Sequence, residues 1–162
     1  MFVVRYVALT ALAVWIGGMV ALVVFVAPAT FRVLQAAAPA DGRVLAGALF
    51  GEILRLFHIF SYACGGVVIA CLLAIKLIGP PPRAFKLRMS LGVLMLAIAL
   101  YSGMPVTREL ARIEAQVSGS VSALPEADPR RVRFDRLHAT AEALIATNTV
   151  LGIVLLYWYV RE

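Results

Sequence analysis

The chain has 162 residues, 62% of them hydrophobic, with a mean hydropathy of +0.93 and a formal net charge of +6. That composition excludes an ordinary water-soluble globule, and the length leaves no room for a separate soluble domain beside the apolar segments. The positive charge does not point to nucleic acid, because the Lys and Arg residues lie beside and between apolar stretches, where membrane proteins carry anchors and topology signals.

Four stretches, at about 7–31, 53–78, 85–107 and 138–160, are apolar enough and long enough to cross a hydrocarbon core of about 30 Å as helices. Runs such as Val20 to Ala27 do not alternate, so they do not read as strands of a barrel. The first stretch is too long for a signal-peptide core and carries Trp15 and Gly17-Gly18 in its middle, so it is read as a retained span. A semi-polar segment from Gln35 to Glu52 follows, with a turn at Pro39 to Gly42 and Asp41 as the expected cap of a short helix.

The second span stops at Gly79-Pro80-Pro81-Pro82, since Pro cannot continue a helix. Lys76, Arg83, Lys86 and Arg88 flank this turn with no acid among them. Cys64 and Cys71 lie seven residues apart in the second span, about 10 Å along a helix axis, too far for a mutual disulfide. They read as small apolar residues. Gly17-Gly18 and Gly65-Gly66 fall at similar depth and predict a close contact of the first two helices. The third span carries Pro105 and an amphipathic extension through Arg112, followed by a loop from Ser118 to Ser122. Asp128-Pro129 reads as an N-cap with Pro at the first helical position, so the last helix begins outside the membrane and enters it near His138. It ends in Tyr157-Trp158-Tyr159, an interfacial aromatic belt, and Arg161.

The predicted fold is therefore an all-α membrane protein, a single four-helix transmembrane bundle over 1–162, with both termini on one face. Pro28-x-Thr30-x-Arg32 is echoed by Pro105-x-Thr107-Arg108, and Arg55-Leu56-Phe57-His58 by Arg136-Leu137-His138. The echo predicts two related helical hairpins repeated about an axis along the membrane normal.

The face opposite the termini gathers the chemistry. Candidate binding residues are His58, His138, Glu142, Arg55, Ser61, Tyr101, Arg108 and Asn148, with His58 and His138 the candidate metal ligands. His138 and Glu142 are four apart and share a helix face with Ala141, Ile145 and Asn148. An acid in hydrocarbon is costly and turns inward, so this arc is expected to face the bundle interior and meet His58. Three readings follow: interhelical hydrogen bonds of purely structural value; a polar site for a proton, ion, metal or small solute; and a haem between two histidines on facing helices. The five methionines form no thioether cluster at helical spacing, and no nucleophile triad, phosphate loop or paired carboxylate is present, so the sequence requires no cofactor and leans away from an enzyme.

Val14-Trp15-Ile16-Gly17-Gly18, Ala27-Pro28, Phe31-Arg32-Val33-Leu34, Gly47-Ala48-Leu49-Phe50 and Phe134-Asp135-Arg136-Leu137-His138 together resemble the transmembrane-protein-205-like family, in order along the whole chain. The polar residues that follow that family's His are here Ala139-Thr140-Ala141-Glu142-Ala143. The resemblance implies a four-helix membrane protein without an established activity. The functional expectation is an integral, multi-pass protein of the bacterial inner membrane that binds or passes a small solute, ion or metal at its polar end. The alternative is a structural or accessory subunit of a larger membrane complex. Expected partners are the lipid bilayer, anionic lipid at the basic rim, and a second copy or a membrane complex, with no nucleic acid.

Overall fold

A computed structural model describes residues 2–80, 83–117 and 119–161. Four long helices account for nearly all of them: α1 (Phe2–Ala37), α2 (Gly42–Ile78), α3 (Phe85–Ala115) and α4 (Pro129–Val160). All four are long and apolar enough to cross a membrane, which makes the fold an all-α, four-helix transmembrane bundle. Pro81, Pro82 and Ser118, parts of the expected turns, lie outside the described residues.

The helices run past the apolar stretches. At about 1.5 Å per residue, 31 to 37 residues measure roughly 46–55 Å, well beyond the hydrocarbon thickness. The excess projects at the end opposite the termini, where all the described acidic residues lie. Gln35 to Glu52 is not a separate short helix. It completes α1 and starts α2, and Asp41 makes no side-chain cap. The tight turn there depends on Gly42, whose amide bonds to the Ala38 carbonyl at 2.6 Å. A Cβ at this position would stand 2.7 Å from the Cα of Gln35 and would strike the Leu34 carbonyl oxygen.

The cap expected of Asp128 forms. Its Oδ1 accepts the Arg130 amide at 2.8 Å, and Pro129 takes the first turn. The side-chain bond from Arg130, then its amide, holds the Asp128 carboxyl below its ordinary value. Glu109 of α3 pairs with Arg133 of α4 at 2.7 Å, and Arg131 donates to the Leu124 carbonyl at 2.6 Å. These contacts tie the extended end together outside the membrane.

Neighbours in sequence pack as neighbours in space. α1 contacts α2 and α4, and α3 contacts α2 and α4, so α1 faces α3 and α2 faces α4 across the bundle diagonal. Ala8, Leu12 and Met19 of α1, Val68 and Leu72 of α2, Met95 of α3 and Leu155 of α4 form the core. Val23, Phe25, Leu73, Val93 and Val150 point outward as the lipid-facing surface.

The expected close contact of the first two helices forms, through Gly18, whose Cβ position lies 2.6 Å from the Phe57 ring of α2, and through Gly65, but not through Gly17 or Gly66. Gly17 has nothing within 4 Å of the place a Cβ would occupy. Gly65 does, with Leu96 Cδ1 at 2.9 Å and the Trp15 ring at 3.2 Å, and so does Gly152, with Ile16 Cγ1 at 2.7 Å. The close approaches are thus α2 to α1 and α3, and α4 to α1.

Two π-helical turns interrupt the odd-numbered helices, Leu22–Val26 in α1 and Ser102–Val106 in α3. Pro28 follows the first and Pro105 lies within the second. Proline removes a backbone donor and crowds the preceding turn, and a widened turn relieves both. In α3 the Thr107 hydroxyl donates to the Ser102 carbonyl at 2.9 Å, which gives the Pro-x-Thr spacing a local purpose. At the termini face, buried Arg88 donates to the Trp158 carbonyl at 2.6 Å and lies 5.1 Å from the Tyr159 ring centre. It thereby caps the last carbonyls of α4.

Candidate functional site

The polar residues that the fold brings together lie on the bundle axis, with every helix contributing. His58 and Ser61 come from α2, Asn148 from α4, Ser102 from α3 and Trp15 from α1. All are buried, His58 least so at 6% exposure. They line a cavity of about 20 Å³, completed by Met19, Leu54, Phe57, Ile98, Ala99, Leu144 and Ile145.

Three residues of this lining each carry a buried polar atom with no hydrogen-bond partner: Trp15 Nε1, His58 Nε2 and Asn148 Oδ1. Unpaired buried groups cost about 1–3 kcal/mol each, so three of them around one space call for a shared partner. The space meets the roughly 10–15 Å³ that a single water needs. Their chemistry is complementary too. The indole N–H only donates, the amide oxygen only accepts, and the imidazole nitrogen does either according to tautomer.

The π-turn of α3 shapes one wall. It places Gly103 against α2 so closely that a Cβ would stand 2.6 Å from His58 Cγ and 2.9 Å from His58 Cβ, and would strike the Tyr62 hydroxyl. The His58 and Tyr62 rings stack with centroids 6.2 Å apart. His58 is held in its rotamer by backbone on one side and a ring on the other.

Of the residues expected at the site, His58, Ser61 and Asn148 meet here, and the others do not. His138 and Glu142 are exposed rather than inward, at 56% and 70% of their side-chain surface, and pair with each other at 3.2 Å. His138 stacks on Phe134 and lies in electrostatic reach of Glu114, which in turn neighbours Gly47. It belongs to the extended end, ten residues before Asn148 and so about 15 Å away along α4. Glu142 faces outward instead of into the bundle. Arg55 is exposed and pairs with Glu52 at 2.6 Å. Tyr101 faces outward at 55% exposure, and Arg108 is exposed.

The expected meeting of His138 with His58 therefore does not occur, and the two histidines lie on diagonally opposed helices. A haem between them would need one cavity flanked by both imidazoles. The cavity at His58 is of water size and His138 is not part of its wall. Among the described residues, no three His, Cys, Asp or Glu side chains gather as metal donors. Trp15 and Ser102 are the members that sequence reasoning missed. A tryptophan placed in mid-membrane needs a partner for its N–H, and that was the available signal.

A helical bundle with apolar outer faces and a small polar centre defines an integral, multi-pass membrane protein. A family model described as a domain of unknown function, DUF4149, matches residues 10–118, more than half of the chain, and the chain belongs to that family. The match includes Trp15, His58, Ser61 and Ser102 and ends before Asn148. Neither a curated protein nor a solved structure is similar enough to count as a match.

Proposed function

We propose that the protein binds a single water-sized polar species at the axial His58 pocket and supports its passage, or that of a proton, through the bundle. The observation that carries this reading is that Trp15, His58 and Asn148, each with a buried polar atom that has no hydrogen-bond partner, line one cavity of about 20 Å³. A molecule with both donors and acceptors satisfies all three: it accepts from the indole and donates to the amide. A bare cation would meet the indole N–H with its positive end, so the lining favours a neutral dipole. His58 is the one imidazole in the lining, and imidazole is the side-chain type that most often serves as a proton shuttle. Polar residues inside a membrane bundle typically mark such a route.

The test is flux across reconstituted vesicles. Proteoliposomes loaded with a pH-sensitive dye and placed in a pH gradient should equilibrate faster than protein-free vesicles. His58→Leu and Asn148→Leu should each return the rate to background. A wild-type rate equal to that of empty vesicles would overturn the transport reading and leave the polar pocket a structural feature of an accessory subunit. Placement beside the transmembrane-protein-205-like proteins, and in the bacterial inner membrane, belongs to the same proposal. The ordered motifs from Val14-Trp15-Ile16-Gly17-Gly18 to Phe134-x-x-x-His138 support the first, and the helical rather than barrel architecture supports the second.

A further inference from the structure

Basic residues frame a stretch of every helix: Arg5 to Arg32 in α1, Arg55 to Lys76 in α2, Arg88 to Arg108 in α3 and Arg136 to Arg161 in α4. Between those frames the four stretches hold a single Asp, Glu, Lys or Arg, which is Glu142. Its depth can be counted along α4. Arg88 bonds the Trp158 carbonyl, so Trp158 is level with the basic end of α3. Glu142 lies sixteen residues before Trp158, about 24 Å along the helix and inside a hydrocarbon layer of about 30 Å that starts there. Its side chain is 70% exposed on the outside of the bundle, where lipid offers neither a counter-charge nor a hydrogen bond. The contact with His138 at 3.2 Å engages Oε1 of its two oxygens, and the imidazole is itself 56% exposed. Ala139, Glu142, Ala146 and Ile153, spaced three, four and seven apart, form one exposed stripe along α4. Small residues on both sides of the acid let another helix approach closely.

From this arrangement we infer that the stripe is the contact between two copies of the chain, packed α4 against α4 about a two-fold axis along the membrane normal. Copies inserted in the same orientation hold Glu142 and His138 at equal depth. A second copy therefore presents an acceptor and a donor at the level where the first exposes its own, and a two-fold contact is self-complementary. Four residues separate His138 from Glu142, about 6 Å of rise, a span their own pair already bridges. Two carboxylates and two imidazoles then close a ring in which each acid accepts from an imidazole on either side. The contact does not rest on the His58 pocket, because Asn148 points from α4 into the bundle and the stripe points out.

The experiment measures association in a bilayer. Full-length protein labelled at its N-terminus with a donor or an acceptor dye is reconstituted in phosphatidylcholine vesicles, and energy transfer is followed as lipid is added. Wild type should dimerise, and Glu142→Leu should weaken the dimer about tenfold or more. Ala146→Leu leaves the acid and the imidazole in place but thickens the stripe, and it should weaken the dimer likewise. Ala63→Leu, on the exposed side of the diagonally opposed helix α2, should change nothing. Disulfide formation keeps the test open should a leucine variant fail to fold. In a Cys64→Ala/Cys71→Ala background, Ala146→Cys should cross-link two copies and Ala63→Cys should not. A wild type that stays monomeric at every dilution would overturn the contact and leave the stripe to a different membrane protein. Glu142→Leu or Ala146→Leu dimers as tight as wild type, or equal cross-linking at positions 63 and 146, would overturn it as well.

Discussion

Substituting Gly103 by alanine tests the wall that holds His58. The added Cβ would lie 2.6 Å from His58 Cγ and 2.9 Å from its Cβ, closer than real contacts, and would collide with the Tyr62 hydroxyl. The Tyr62 end can swing aside. The His58 Cβ cannot, because it is fixed to the α2 backbone, so α2 and α3 must separate. Overpacking of this kind costs about 1–3 kcal/mol. Replacing a helical glycine by alanine returns roughly 0.5–1 kcal/mol, so the net loss should be on the order of 1–2 kcal/mol. Gly17→Ala is the internal control, since nothing lies within 4 Å of its Cβ position and only the helical gain applies. Equilibrium unfolding in mixed micelles, followed by the fluorescence of Trp15 in a Trp158→Phe background, should show Gly103→Ala less stable and Gly17→Ala unchanged or more stable. Trp15 emission should also shift in the folded Gly103 variant, because the ring shares the pocket. Equal stability of the two variants would refute the close packing of α3 on His58.

Asn148→Leu should destabilise the bundle by about 1–3 kcal/mol, because it removes the acceptor of the shared polar partner and strands the Trp15 and His58 nitrogens; unfolding in mixed micelles measures this. Arg88→Met should cost about 1.5–3 kcal/mol through loss of the charged bond to the Trp158 carbonyl, seen as faster hydrogen exchange in the last turn of α4. The lowered carboxyl of Asp128 makes its cap acid-labile. Its contribution is complete above the ordinary value of 3.8 and fades as the pH falls through the lowered one, so exchange at the start of α4 should rise at low pH in wild type but not in Asp128→Asn. Cysteines placed at Ala84 and Ala123 should label from opposite sides of the membrane, and labelling from the same side would exclude the four-span topology.

The membrane helices were legible because lipid leaves the backbone no alternative to an internal ladder over some 20 apolar residues. The full length of α3 and α4 was legible in the amphipathic run through Arg112 and the Asp128-Pro129 cap, but that of α1 and α2 was not, since outside the hydrocarbon a helix tolerates residues such as Glu52 and Arg55 and ceases to look like a span. The π-turns left only an indirect mark in Pro28 and Pro105, because their sequences, Leu-Val-Val-Phe-Val and Ser-Gly-Met-Pro-Val, share only the final Val. The pairing of the two histidines failed on register. His58 lies sixteen residues into α2, counted from Gly42, whereas His138 lies only nine into α4, counted from Pro129. The position on α4 that reaches the His58 level is Asn148. Glu142 was expected to turn inward as an acid in hydrocarbon, but it pairs with His138 one turn away on the outer face of α4.

The central claim is that three polar atoms on the bundle axis share one small guest. An experimental density map at a resolution that shows ordered water tests it most directly. The account predicts a single peak within hydrogen-bond distance of Trp15 Nε1, His58 Nε2 and Asn148 Oδ1. An empty cavity, or the three side chains turned to bond one another directly, would contradict it.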